Sequence, residues 1–330
     1  MRTLTARAAT RPSRRAWAVG VLFFLFGTLA NTSVAQVLKP RPINAEAYGE
    51  SYTAIAHMTD GTYLLIQYVF TNAGWGDRKA ACRILHVPNG SKGTNEAARF
   101  DKDKWSYSAN GNQLNVGSCF LTSSAGETTF HAKTESMSAT LKLSAPSVAT
   151  RAPGHKITVD DDEFYQSEIL IPWTAARAEI TTSAGKRSVS GHGYLDHSRS
   201  NTRLPKVAQQ WVRFRGFVGA DQVLIEYKKD ADGKPTGWIW KKSVGKPKAV
   251  PQSAYDVKKF GSGLKLATAV GTIKTQKTLY AYRPAKEWGL LGKMAKPWVG
   301  DPITTTYAAT LVNQDGTSIS GILEYVKITD

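Results

Sequence analysis

Short turn signals recur along the whole chain: Asp60-Gly61, Asn89-Gly90, Asn110-Gly111, Ala125-Gly126, Ala184-Gly185, Asp232-Gly233, Gly261-Ser262-Gly263 and Asp315-Gly316. Each sits beside runs rich in β-branched or aromatic residues. That is the punctuation of β-hairpins, because a tight reversal needs positive φ, which glycine adopts at least cost. Strands are predicted over residues 62–71, 113–122, 128–136, 138–143, 167–171, 211–218, 222–228, 238–242, 265–273, 279–283, 304–312 and 319–328. Long helical periodicity is absent, so the chain reads as all-β.

Tyr63-Leu64-Leu65-Ile66 is apolar on both faces, whereas Ala139, Leu141 and Leu143 alternate with Thr140 and Lys142. Strands covered on both sides lose the alternation that strands wetted on one side keep. The mixture predicts barrels or sandwiches packed on one another. The lysine tracts at 229–234 and 241–248 read as exposed hairpin tips or edges, where lysine discourages edge pairing.

Residues 1–35 read as a cleavable export signal: five arginines (Arg2, Arg7, Arg11, Arg14, Arg15), an apolar core from Ala16 to Ala30, then Ser33-Val34-Ala35. The apolar core is shorter than the ~20 residues of a membrane span. Ser13-Arg14-Arg15 approximates a twin-arginine pattern, which leaves the export route open between that and general secretion. A periplasmic or secreted protein is expected. Losing the signal lowers the formal charge from +17 to +12, a basic balance that favours anionic surfaces. For an exported protein the anionic partner is membrane lipid, and no nucleic acid is expected. Cys82 and Cys119, the two cysteines, form one disulfide in an oxidising compartment or stay as buried thiols. The remaining roughly 295 residues exceed what one core covers, so two domains are expected.

Standard catalytic signatures are missing: no HExxH, no paired CxxC, no GxSxG, and the run from Gly289 to Lys293 lacks the spacing of a phosphate loop. No metal and no cofactor is expected. The distinctive stretch is Gly191-His192-Gly193-Tyr194-Leu195-Asp196-His197, followed by Trp211-Val212-Arg213-Phe214-Arg215. The two glycines leave room for close backbone approach. In extended strands Tyr194 and Asp196 share one face and Leu195 and His197 the other, while Trp211, Arg213, Arg215 and Phe217 share a face. An aspartate within reach of such an arginine satisfies a buried charge.

At these residues the sequence resembles the tandem lipocalin-like (calycin) superfamily of carotenoid 1,2-hydratases and AttH-type proteins, and more closely its survival-factor branch, linked to ceramide and other sphingolipid handling. Asn72 to Asp77, Lys79 to Cys82, and Ser167-Glu168-Ile169 running into Pro172-Trp173 add to the likeness. The resemblance implies two lipocalin-like antiparallel barrels, residues 36–185 and 186–330, that enclose or flank an apolar site. It implies first a protein that binds a sphingolipid, isoprenoid or other apolar molecule for carriage or presentation, with His197, Trp211, Arg213, Arg215 and Trp173 as ligand contacts. The hydratase branch implies an alternative: a cofactor-independent hydratase or cyclase of a polyene, with Asp196 as general acid and Tyr194 as its helper. After His197, however, the chain runs Ser198-Arg199-Ser200 where the hydratases continue with an aromatic and a glycine. A third expectation is a basic scaffold at an anionic membrane. A fourth is that Asp196, His197 and the arginines only fix strand register.

Overall fold

The computed structural model describes residues 37–73, 77–218, 221–241, 248–249, 256–260, 263–283 and 300–329. The proposed export signal, Trp75, most of the lysine tract at 241–248, the turn at Gly261-Ser262 and the run at Gly289 lie outside the described residues. Two antiparallel sheets carry nearly all of the regular structure.

The first sheet comprises β1 (Gly49–Met58), β2 (Tyr63–Thr71), β3 (Lys79–Val87), β4 (Thr94–Phe100), β5 (Trp105–Ser108), β6 (Gln113–Val116), β7 (Cys119–Ser123), β8 (Thr128–Lys133), β9 (Ser138–Leu143), β10 (Lys156–Thr158), β11 (Phe164–Thr182) and β12 (Gly185–Ser200). Its order is β4-β3-β2-β1-β12-β11-β9-β8-β7-β6-β5, with β10 paired on β11. The ends of this order, β4 and β5, follow one another in the chain through the turn at Lys102–Lys104, which curls the sheet into a nearly closed barrel. Across its interior the Tyr68 hydroxyl donates to the carbonyls of Phe120 (2.6 Å) and His131 (2.8 Å).

Five of the turn signals behave as the sequence predicts: Gly61, Gly90, Gly185, Gly233 and Gly316 all have positive φ. Two predicted strands are each cut by a reversal. A turn at Gly117 (φ 56°) splits 113–122 into β6 and β7, and one before Gly271 splits 265–273. Tyr63 to Ile66 is buried on both faces. Leu64 and Ile66 point into the barrel, and Tyr63 and Leu65 point to a second apolar layer outside it.

Cys82 of β3 and Cys119 of β7 form the disulfide, 37 residues apart. Closing a loop of that length constrains the unfolded chain by about 3–4 kcal/mol. Reduction is therefore expected to lower the denaturant midpoint by that amount of stability. An unchanged midpoint in dithiothreitol would show that the bond adds nothing to the barrel.

The second sheet comprises β13 (Gln210–Val218), β14 (Asp221–Lys229), β15 (Pro235–Lys241), β16 (Lys248–Ala249), β17 (Asp256–Phe260), β18 (Gly263–Thr268), β19 (Gly271–Tyr282), β20 (Asp301–Asn313) and β21 (Ser318–Thr329), in the order β16-β15-β14-β13-β21-β20-β19-β18-β17. It forms a half-barrel around Val212, Phe214, Ile225, Tyr227, Leu311 and Leu323. Residues on both sides of the expected division at 185/186 lie in the first sheet. β12 pairs with β1 and β11, so it completes the first sheet, and the chain crosses to the second through residues 201–209 and the short helix α1 (Leu204–Val207). The Ala184-Gly185 signal marks a hairpin inside the barrel, which a turn residue alone cannot distinguish from a domain boundary.

The outer faces of the two sheets meet. Ile55, Tyr63, Leu65, Ile169, Trp173 and Tyr194 of the first pack with Leu224, Trp238 and Ile322 of the second in one buried apolar cluster.

Candidate functional site between the sheets

The distinctive stretch is β12, held between β1 and β11. A Cβ on Gly191 would lie 2.3 Å from the His57 carbonyl oxygen, and one on Gly193 would lie 2.4 Å from the Leu143 side chain. Only glycine permits this approach of β1 to β12. The strand then sends Leu195 into the barrel and His192, Tyr194 and Asp196 outward, because alternate residues share a face. On the facing strand β13, Val212 and Phe214 enter the second core, which turns Arg213, Arg215 and Phe217 toward β12.

The two outward rows interlock. The rings of His192 and Phe217 lie 3.8 Å apart, with Trp173 6.4 Å beyond His192. The Arg215 guanidinium sits 4.4 Å over the Tyr194 ring. Its Nη2 lies 3.6 Å from Asp196 Oδ2, outside hydrogen-bond range. Side-chain exposure of Arg215 and Asp196 is 5% and 10%, so this charge pair is effectively dry.

Beside it lies a second ionic group that sequence reasoning did not find. Arg213 is paired in register with Glu226 on β14 and Glu324 on β21. It donates Nε to Glu226 (3.0 Å), Nη1 to Glu324 (3.3 Å) and Nη2 to the Tyr165 hydroxyl of the first sheet (3.2 Å). Lys228 adds a 2.8 Å contact to Glu226. The signal was present as one acid inside each of two apolar runs, Leu224-Ile225-Glu226-Tyr227 and Ile322-Leu323-Glu324-Tyr325. Only strand register shows that both flank the same arginine.

Two neighbouring carboxyls are driven in opposite directions. Burial raises Asp196 above its ordinary value, and the charges of Arg213 and Arg215 do not fully offset it. Burial also opposes ionisation of Glu226, yet Lys228 and Arg213 overcome it and hold that carboxyl at about 2. Burial and the Asp196 charge push the Tyr194 hydroxyl well above its usual range, and burial lowers His192. Such a separation of two adjacent carboxyls is how acid and base roles are divided in enzymes.

The expected contacts therefore divide. Tyr194, Asp196, Arg213 and Arg215 converge. Trp173 lies in the same layer, and Trp211 packs at its far side on Tyr165, Val207, Ala208 and Ile328. His197 does not join them, because the one-residue offset from Asp196 turns it into the first barrel. There its Nε2 lies 2.7 Å from Glu50 and its Nδ1 3.9 Å from Glu168, with its ring 4.4 Å from that of Tyr52. Glu50 also accepts from the Tyr48 hydroxyl (2.8 Å) and the Arg41 amide (2.9 Å), and Arg151 Nε donates to Glu168 (2.8 Å).

Burial opposes charge on His197, but the neighbouring carboxylates of Glu168 and Glu50 outweigh burial and raise its pKa above 6.5. The neighbouring His197 and Arg151 hold Glu168 at about 2 despite burial. The raised histidine stabilises the fold fully below its unfolded pKa of 6.5, and that contribution is lost as pH rises through the folded value. The depressed glutamate stabilises above 4.5, and that contribution is lost as pH falls toward about 2. Unfolding curves across pH should show the barrel most stable between these limits. In His197→Gln the decline on the alkaline side should disappear; if the variant keeps it, this cluster is not its source.

The fold is that of tandem lipocalin-like β-barrel proteins. Among solved structures the chain is similar to an AttH-type protein from Nitrosomonas europaea, with TM-score 0.60, 10% identity, and 84% of this chain and 91% of that one covered. It is also similar to kievitone hydratase from Nectria haematococca, with TM-score 0.55, 12% identity and coverage of 91% and 95%. CghA in complex with Sch210972 gives TM-score 0.56, 9% identity and coverage of 88% and 93%. No protein-family model matches the chain, and no curated protein matches it in sequence.

Proposed function

We propose that the protein is a cofactor-independent enzyme of the hydratase or cyclase type, with Asp196 as the proton donor and acceptor and Arg215 as the group that holds a substrate oxygen. The observation that carries this reading is the buried Asp196–Arg215–Tyr194 cluster. In it a carboxyl of raised pKa lies beside a guanidinium whose Nη1 is buried without a partner. A carboxyl whose surroundings favour its protonated form is suited to deliver a proton when the substrate's charge changes. A buried, pre-placed guanidinium stabilises oxyanion character that develops at a carbonyl or phenol oxygen. A cation over the face of Tyr194 opposes a carbocation there. The site thus favours an unsaturated substrate that carries an oxygen over a bare hydrocarbon.

The indole N–H groups of Trp173, Trp211 and Trp240 are likewise buried without partners, so with Arg215 four donor groups await an acceptor in and around this layer. One of the proteins of similar fold is a hydratase by name, which supports the reading without deciding it. The space lined by Tyr194, Arg213, Arg215, Glu226 and Trp238 measures about 10 Å³, about one water. A substrate therefore enters by parting the facing side chains. Carriage of a sphingolipid or isoprenoid remains the second reading, supported by the aromatic layer itself. Both readings place the protein in the periplasm or outside the cell, where the Cys82–Cys119 bond is at home.

The test is mass spectrometry of organic extracts from wild-type protein and Asp196→Asn, each purified natively from its own host. Product on the wild type and unreacted precursor on the variant is the expected result. The same lipid on both would sink the enzymatic reading and establish the carrier.

A further inference from the structure

A cavity lies away from Asp196, where the chain crosses between the sheets. It is a groove of about 740 Å³, a volume that accommodates a small-molecule ligand. Four of its lining residues are cationic (Arg203, Lys206, Lys229 and Lys327), and no carboxylate is among them. Its accessible apolar lining comes from Pro205, Ala231 and Tyr325, while Ala208 and Ile328 are buried.

Strand register builds the charged part. Gln210 on β13 is paired directly with Lys229 on β14 and with Lys327 on β21. Directly paired residues share a face, so two lysines one strand either side of Gln210, roughly 10 Å apart, point the same way. Like charges so placed repel, and neither lysine has an ion pair among the described residues. The in-register triplet three residues further along β13 is Glu226–Arg213–Glu324, in which the cation lies between two acids. The same three strands thus solve their charge problem internally at one level and leave it open at the other. Lys206 is engaged by Asp160 and Glu163, and the acid next in sequence to Lys229, Asp230, accepts from the Asp232 and Lys234 amides of the hairpin tip. Gln210 is fixed by donating to the Tyr325 hydroxyl at 2.7 Å. A carboxylate or phosphate between the lysines removes the repulsion, and flexible ammonium groups on both sides reach it as charge-assisted donors.

We propose that this groove binds a single-chain anionic amphiphile, its oxyanion held by Lys229, Lys327 and Arg203 and its chain lying on Pro205, Ala231 and Tyr325. The assignment does not depend on the chemistry at Asp196.

The experiment is equilibrium binding of the full chain to inorganic phosphate, to monomeric lysophosphatidic acid and to phosphatidylcholine vesicles with or without phosphatidylglycerol. Wild type is expected to bind the lysolipid at least tenfold more tightly than phosphate. The double variant Lys229→Gln/Lys327→Gln should lose at least tenfold in lysolipid affinity, equivalent to about 1.4 kcal/mol, and Asp196→Asn should lose none. Both lysines are exposed, so the double variant should keep the wild-type unfolding midpoint. Undiminished lysolipid binding by the double variant would overturn the proposal. So would phosphate binding as tight as that of the lysolipid, or binding to anionic vesicles with none to the monomer. The last result would assign the charges to a membrane surface.

Discussion

Arg213→Met is expected to destabilise the protein by about 3–5 kcal/mol, the cost of leaving buried charge without its partner. Arg213 is the one cation shared by Glu226 and Glu324, and it bridges the two sheets through the Tyr165 hydroxyl. Removing it leaves Glu226 with Lys228 alone, 2.8 Å away. Converting the whole group to neutral residues is a milder change than breaking it. Arg213→Met combined with Glu226→Gln, Glu324→Gln and Lys228→Met should therefore recover most of the loss in urea unfolding. A deficit below about 1 kcal/mol for the single variant would mean that water reaches these carboxylates. The pH dependence has a fixed sign. Because Glu226 titrates at about 2 instead of 4.5, its contribution is complete above 4.5 and disappears as pH falls through that interval. Wild type should lose stability there, and the quadruple variant should not.

Asp196→Asn is expected to reduce turnover by about 10²–10⁴-fold, the range for losing a positioned general acid, with the unfolding midpoint within a few degrees of wild type. The fold should tolerate it because the carboxyl makes no hydrogen-bond-length contact with Arg215. In addition, its raised pKa means that the folded state disfavours its ionised form. The rate carried by the protonated acid should fall as pH rises through the Asp196 pKa, which lies above 3.8. Arg215→Met should slow the same reaction and move its pH profile upward, since it removes both the oxygen's partner and a charge that lowers the Asp196 pKa. If Asp196 only fixes register, the Asn variant will unfold early while native molecules keep full activity.

Much of the candidate site was legible before the structure. Alternation along Gly191 to His197 put Tyr194 and Asp196 on one face, and alternation along Trp211 to Phe217 put the two arginines on another. Glycine at 191 and 193 foretold a close strand approach, which the His57 carbonyl makes. What alternation cannot say is which faces meet. His197 was counted a ligand contact through the family resemblance, while alternation already put it on the face opposite Asp196, and its partners Glu50 and Glu168 arrive from β1 and β11. The turn chemistry at Ala184-Gly185 specified a reversal but carries no record of which sheet the next strand joins.

The sequence by itself determined an all-β chain, its hairpin turns, the strands buried on both sides and the facing of each functional side chain. These follow from φ preferences and the two-residue period of a strand, which are local. The tertiary structure alone decided that β12 closes the first barrel and that Asp196 meets Arg215. It alone decided that two glutamates enclose Arg213 and that two lysines stand unopposed beside Gln210. Those outcomes depend on strand order and register, which are set by long-range pairing and by how two apolar outer faces exclude water together.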